Sequence, residues 1–164
     1  MAATQTQKLH DLLSDFQVAM LVTRTADGEL RSRPMAVAQV EAEGTLWFFT
    51  QRQSGKVDEI GDDHHVNVAM QSSSKFVSLT CTSQPVNDRA KVQELWNESW
   101  KTWFPKGPHD PSLTLLRVDA TAGEYWDNSG TSGLKYLIKA GQAYLAGETP
   151  DVSNDPTIHG KVKL

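Results

Sequence analysis

The sequence predicts a mainly β, α+β fold: about six antiparallel strands closing into a small barrel, with helices at the chain ends and crossovers. Three observations carry this expectation. Residues 18–23, 30–40, 46–50, 65–71, 76–82 and 113–127 are rich in β-formers and either alternate apolar with polar or run continuously apolar. Short turn signals, Asp27-Gly28, residues 41–44 and Ser72-Ser73-Ser74, join consecutive runs in the manner of an antiparallel meander. No run is followed by the Gly-x-Gly-x-x-Gly turn of a dinucleotide-binding βαβ unit.

Taken in order, residues 4–16 place Leu9, Leu12, Leu13 and Phe16 on one helical stripe, with Thr4 or Thr6 as the cap. Residues 18–23 are continuously apolar and are expected to form a strand buried on both faces. In the return strand, 30–40, alternation puts Arg31, Arg33 and Met35 on one face. Pro34 cannot donate to a ladder, so pairing is broken there or the strand is an edge, and nearby backbone is free to meet a ligand. The strand 65–71 turns Val66, Val68 and Met70 to one side, and 76–82 does the same with Val77, Leu79 and Cys81. Gln84-Pro85 ends that strand, and Asp88 caps a helix running to about residue 100, with Val92, Leu95, Trp96, Ser99 and Trp103 along one face. Pro105, Pro108 and Pro111 stiffen the loop that follows, and the Trp103-Phe104 pair on it suits a lid or a dimer contact. Leu116, Val118, Ala120, Ala122, Glu124 and Trp126 share one parity of the last long strand. Residues 133–146 read as a helix with Leu134, Leu137 and Ile138 as its apolar stripe. The expected organisation is one domain over 1–146 and an extended tail over 147–164, of which 161–164 can pair as a short strand.

Bulk properties narrow the function. A chain of 164 residues suffices for one real core. A net charge of −4 and a pI near 5.7 give no broad cationic field for nucleic acid. No apolar run approaches a membrane span and the N-terminus lacks a signal peptide's apolar region, so a cytoplasmic location is expected. A single cysteine, Cys81, sits in a strand pattern and reads as core. Adjacent His64 and His65 would point to opposite faces of a strand, and no Cys or His spacing matches a metal motif, so no metal site is expected. His10, His109 and His159 are expected to be solvated.

The chemistry concentrates in residues 46–60: an apolar strand, a polar turn Gln-Arg-Gln-Ser-Gly-Lys, then the first turns of a helix. Helix starts carry unpaired N–H groups and the positive end of the dipole. Ser54, the bare backbone of Gly55 and the ammonium of Lys56 at that point suit a phosphate, although Ser54 also suits a plain helix cap. Trp47 and Phe49 on one strand face, and Thr50 at its exit, add an aromatic wall, as for a nucleotide or flavin. Arg31 and Arg33 belong to a neighbouring strand and can converge on the same place.

In this order and spacing, Arg31-Ser-Arg-Pro-Met35, Phe48-Phe49-Thr50, Ser54 with Lys56, and Glu124-Tyr-Trp126 resemble the pyridoxamine 5′-phosphate oxidase-like superfamily of flavoproteins. Trp103-Phe104 and the loop to Pro111 resemble its general stress protein 26 group in particular. The resemblance covers about residues 9–127. It implies a six-stranded antiparallel split β-barrel with flanking helices, binding FMN at the interface of a homodimer. It implies that Arg31, Arg33, Pro34 and Met35 line the ring and ribityl side, that Phe49 and Thr50 flank ring or chain, and that Ser54, Gly55 and Lys56 hold the phosphate. Trp126 would come from the second subunit, with Trp103 a further candidate for that wall. The pyridoxamine phosphate oxidases follow the late Trp with an Arg-Leu-His-Asp-Arg segment for substrate phosphate. Here Asp127-Asn-Ser-Gly-Thr-Ser-Gly stands instead, which speaks against vitamin B6 oxidase activity. Two functions remain in view: an FMN-dependent oxidoreductase on a small substrate with NAD(P)H or a small molecule as redox partner, and a non-catalytic flavin-binding stress protein acting as sensor, store or scavenger. Catalytic residues are not identified at this level. Deazaflavin or haem fits less well, because no axial His is placed for haem and the phosphate motif follows the FMN pattern.

Overall fold

The computed structural model describes residues 4–153 and 155–164. Six strands close a barrel: β1 (Val18–Arg24), β2 (Leu30–Val40), β3 (Thr45–Gln51), β4 (His65–Gln71), β5 (Lys75–Val86) and β6 (Leu113–Asp127). They pair antiparallel in the order β3-β2-β1-β4-β5-β6, and β3 pairs with β6 to close the ring. The length of β6 makes closure compatible with an extra strand. Its first half, to Asp119, pairs with β3. Its second half, from Ala122 to Trp126, pairs with β7 (His159–Lys163). The tail therefore returns to the sheet over a slightly longer stretch than its sequence pattern indicates.

The barrel interior takes one face of each strand: Leu21, Leu46, Phe48, Val68, Leu79, Leu116 and Val118 are fully buried. Helix α1 (Gln5–Ser14) adds Leu9, Leu12 and Leu13 to this core, and Thr4 caps it by accepting from the Gln7 N–H. Every residue of β3 from Thr45 to Thr50 is buried, because its outer face is also covered. Trp47 and Phe49 pack there in a second cluster with Val92, Trp100, Phe104, Leu113 and Leu115.

One helix departs from its sequence pattern and another leaves its apolar stripe uncovered. The helix capped by Asp88, α3 (Arg89–Leu95), stops well short of residue 100. Trp96 takes extended backbone, and Asn97 caps a separate 3₁₀ turn over Glu98–Thr102. This break turns Trp100 inward at 9% exposure and leaves Trp103 out at 69%, so Trp103 does not share the buried face with Val92. The last helix, α4 (Gly130–Ala146), buries only Ser132 among its described residues. Leu134, Leu137, Ile138, Tyr144 and Leu145 are each more than half exposed. No helix among the described residues is long and apolar enough to cross a membrane.

Candidate functional site

The site is built where β2 loses a neighbour. From Leu30 to Ala36, β2 pairs with β1, whereas its pairing with β3 begins only at Val37. One edge of β2 is thus open at Pro34, which has no N–H to leave unpaired there. A register shift between Val37 and Gln39 splays the two strands further. A cavity of about 340 Å³ opens beside this edge, within the size range of small-ligand pockets. Pro34, Met35 and Ala36 form one wall; Phe49, Thr50, Gln51, Ser54 and Lys56 form the next.

The third wall is aromatic. Trp100, Trp103 and Phe104, from the 3₁₀ turn and the proline-rich loop, face Phe49 across the cavity. Phe49 and Trp100 meet edge to face with centroids 4.8 Å apart, a favoured arrangement for such rings. Val18 and Trp103, both largely exposed, form the rim.

The polar end lies at the start of helix α2 (Gly55–Asp62). Ser54 stands at the N-cap position but makes no side-chain capping bond. The Val57 amide donates to the Ser54 carbonyl at 2.9 Å, and the Gly55 and Lys56 amides are left to an external acceptor. Lys56 is half-buried and donates to the Thr50 hydroxyl at 3.1 Å, and Ser54 Oγ lies 3.4 Å from the same oxygen. Among the described residues no carboxylate approaches the Lys56 ammonium closely enough to form a salt bridge. Burial, and then the nearby Arg33 guanidinium, pushes its pKa below the ordinary lysine value, with Glu59 opposing. A desolvated cation without a counter-ion is unfavourable until an anion arrives.

Of the residues singled out in the sequence, Pro34, Met35, Phe49, Thr50, Ser54, Lys56 and Trp103 line this one cavity. Gly55 sits between two of them as the first residue of α2. Arg31 and Arg33 do not line it. Both turn onto Glu59, with N···O distances of 3.3 and 2.9 Å. Trp126 does not line it either; its ring stacks on His159, centroids 5.3 Å apart. His159 is held in turn by Glu124 at 2.8 Å, so it is packed into the sheet rather than solvated.

Sequence reasoning missed Trp100 as a wall residue, because a continued helix would have placed it elsewhere. It also missed Glu59, whose only signal is its spacing of three from Lys56 along α2. His64 and His65 do not point apart as strand alternation predicts. They lie at the junction of α2 and β4, where strand alternation has not yet begun, and their rings are 4.3 Å apart. Together with Asp63 they bring one ligand atom each within 4.8 Å of one another. Asp63 is already engaged by His65 at 2.9 Å, with Arg24 at 3.9 Å.

Comparison with known proteins places the chain. The family model described as pyridoxamine 5′-phosphate oxidase like matches residues 4–151. Protein bli-3 of Neurospora crassa is 33% identical over 134 residues, covering 73% of this chain; the chain spans 64% of that relative's length. A crystal structure assigned as a general stress protein 26 from Jannaschia sp. CCS1 superposes with a TM-score of 0.73 at 25% identity, covering 97% of this chain and 98% of the other. The general stress FMN/FAD binding protein of Xanthomonas citri superposes with a TM-score of 0.66 at 31% identity, covering 77% of this chain and 89% of the other. The barrel closed through β3 and β6, the matched residues and these relatives agree: the chain belongs to the pyridoxamine 5′-phosphate oxidase-like family.

Proposed function

We propose that the cavity binds FMN and that the protein is a flavoprotein of the general stress type. The observation that carries this reading is Lys56: a partly desolvated ammonium without a carboxylate partner, beside uncapped helix amides, at the polar end of an otherwise aromatic and aliphatic cavity. That donor set fits a phosphate monoester, and the remaining walls fit a planar ring. Phe49, Met35 and Trp100 would contact the ring, while Thr50 and Ser54 hold hydroxyls toward the phosphate. The relative from Xanthomonas citri supports a flavin; the single cationic corner favours FMN.

A bound flavin supplies hydride and electron transfer, which protein side chains do not. The residues lining the cavity include no His, Cys, Asp or Glu. The chain's part is then to bind, orient and shield, and the reading is an oxidoreductase acting on a small molecule, with NAD(P)H as one reductant to test. The same lack of a His, Cys or carboxylate in the cavity lining supports a second reading, a non-catalytic flavin store or sensor. Anaerobic NADH and NADPH added to the FMN-loaded protein separate them: bleaching of the flavin absorbance supports the oxidoreductase, and no bleaching with either supports the second reading.

The functional unit is a homodimer. The cavity rim is open at Val18 and Trp103, and Trp126 of a second copy would close it. The exposed apolar face of α4 gives such a pair further surface to bury. Sedimentation equilibrium with and without FMN tests this; a monomer that retains FMN tightly would contradict it.

A further inference from the structure

Glu59 is the most confined carboxylate near the cavity and has no part in the reading above. It projects from α2, one turn beyond Lys56, and is only 9% exposed. Thr23 of β1 donates to Oε2 at 2.5 Å, and Arg33 reaches the same oxygen at 2.9 Å. Arg33 also donates to the Thr23 hydroxyl at 2.5 Å, closing a three-membered ring of contacts. Arg31 reaches the other oxygen, Oε1, at 3.3 Å. A carboxylate buried to this degree survives because both oxygens are satisfied and two of its three partners are guanidiniums.

The cluster has a definite charge. Lys56, Arg33 and Arg31 contribute three positive charges and Glu59 one negative, so the cluster carries a net two, of which only Lys56 lines the cavity itself. A phosphate monoester carries about −1.5 to −2 at neutral pH. Without Glu59, the Arg33 guanidinium would lose its carboxylate and would weaken the hold of Lys56 on its proton without opposition.

We propose that Glu59 is a positioning residue for the phosphate corner: from one turn beyond Lys56 it holds Arg33 just behind the cavity wall and sets the balance of charge that a phosphate monoester meets at Lys56. This rests on the reading of the cavity as an FMN site, but its central test does not require flavin. The charged groups facing Lys56 are Arg33 from β2, which holds its pKa down, and Glu59 from α2, which holds it up. Thr23 and Arg33 in turn hold the Glu59 carboxyl below its usual range.

The experiment follows Lys56 by NMR after reductive ¹³C-methylation of lysines, assigned with Lys56→Arg, in the unliganded protein and with inorganic phosphate. The variants are Glu59→Gln, Glu59→Asp and Arg33→Gln. The expected result is a Lys56 titration displaced to lower pH in Glu59→Gln by about half to one unit, at the low end of an opposite charge's effect. Glu59→Asp should restore much of it, and Arg33→Gln should displace it to higher pH. Opposite displacements from two partners of one salt bridge are not what simple loosening of the fold produces. Should Glu59→Gln fail to fold, Glu59→Ala replaces it with the same expected displacement to lower pH, and Arg33→Gln keeps the opposite sign. An unmoved titration, or both variants shifting it the same way, overturns the proposal. The FMN-to-riboflavin affinity ratio of the wild type is measured in parallel. A ratio near one with displaced titrations defeats the FMN reading and leaves the Glu59 role standing; a large ratio with unmoved titrations does the reverse.

Discussion

Replacing Lys56 by Met removes the ammonium while keeping most of the side-chain length against Thr50 and Ser54. A hydrogen bond to a charged group contributes about 1.5–3 kcal/mol, which is about 10- to 150-fold in affinity. Lys56 is half-buried rather than enclosed, so solvent screening moves the expectation toward the lower end, about 10- to 30-fold. The loss should appear for FMN and not for riboflavin, which has no phosphate to meet the ammonium. Fluorescence titration of both flavins against both proteins gives a thermodynamic cycle whose coupling isolates the phosphate–lysine contact. The apoprotein should not lose thermal stability, since burial of an unpaired ammonium works against the folded state. Equal weakening of FMN and riboflavin would mean that Lys56 supports the pocket's shape rather than the phosphate. Unchanged FMN affinity would remove it from the site.

The remaining expectations concern pH and packing. Free Lys56 has a depressed pKa and a bound phosphate favours its charged form, so binding takes up protons on the alkaline side. FMN affinity should therefore decline with rising pH before the ordinary lysine value near 10.4, and decline again below about pH 6 as the phosphate gains a proton; calorimetry in buffers of different ionisation enthalpy reads the uptake. Burial pushes the Cys81 thiol up to about 12, so native protein should resist alkylation at pH 8 and react only at its rate of opening, measured by mass spectrometry. Gly160→Ala would set a methyl 2.5 Å from the hydroxyl of Tyr125, a fully buried ring that donates to the Pro156 carbonyl. Such overpacking costs about 1–3 kcal/mol and should appear as a lower urea midpoint. Glu59 has a depressed carboxyl, so its contribution to stability is complete above about pH 4.3 and is lost as pH falls through its folded value. The acid limb of stability should accordingly be shallower in Glu59→Gln.

What the sequence discloses and what it withholds divide along physical lines. The strand, turn and helix over 46–62 were legible because period and turn chemistry are local: six of seven β3 residues are buried, and α2 starts at Gly55 as its cap position requires. Pro34 was legible for the same reason, since its missing N–H confines it to an open edge. The arginines were not. Alternation puts Arg31 and Arg33 on one face, but their capture by Glu59 depends on α2 returning across β1, a relation with no local signature. The end of α3 was also hidden, because Trp96 fits either helix or extended backbone by propensity and only tertiary packing decides. The short β7 was legible as a pairing tail over 161–164, and its start at His159 was not, because two further residues are below what periodicity resolves. The apolar stripe of α4 was legible from its period, but its exposure was not, because period does not tell what covers a face.

The central claim is that a phosphate sits against Lys56 and the start of α2 while an aromatic ring fills the space between Met35, Phe49 and Trp100. A crystal structure of the protein grown with FMN tests it most directly. The account predicts phosphate oxygens within hydrogen-bond reach of Lys56 Nζ, Ser54 Oγ and the Gly55 or Lys56 amides, with the ring along β2 at Pro34 to Ala36. Flavin bound with its phosphate turned away from Lys56, or absent from this cavity while bound elsewhere, would contradict it.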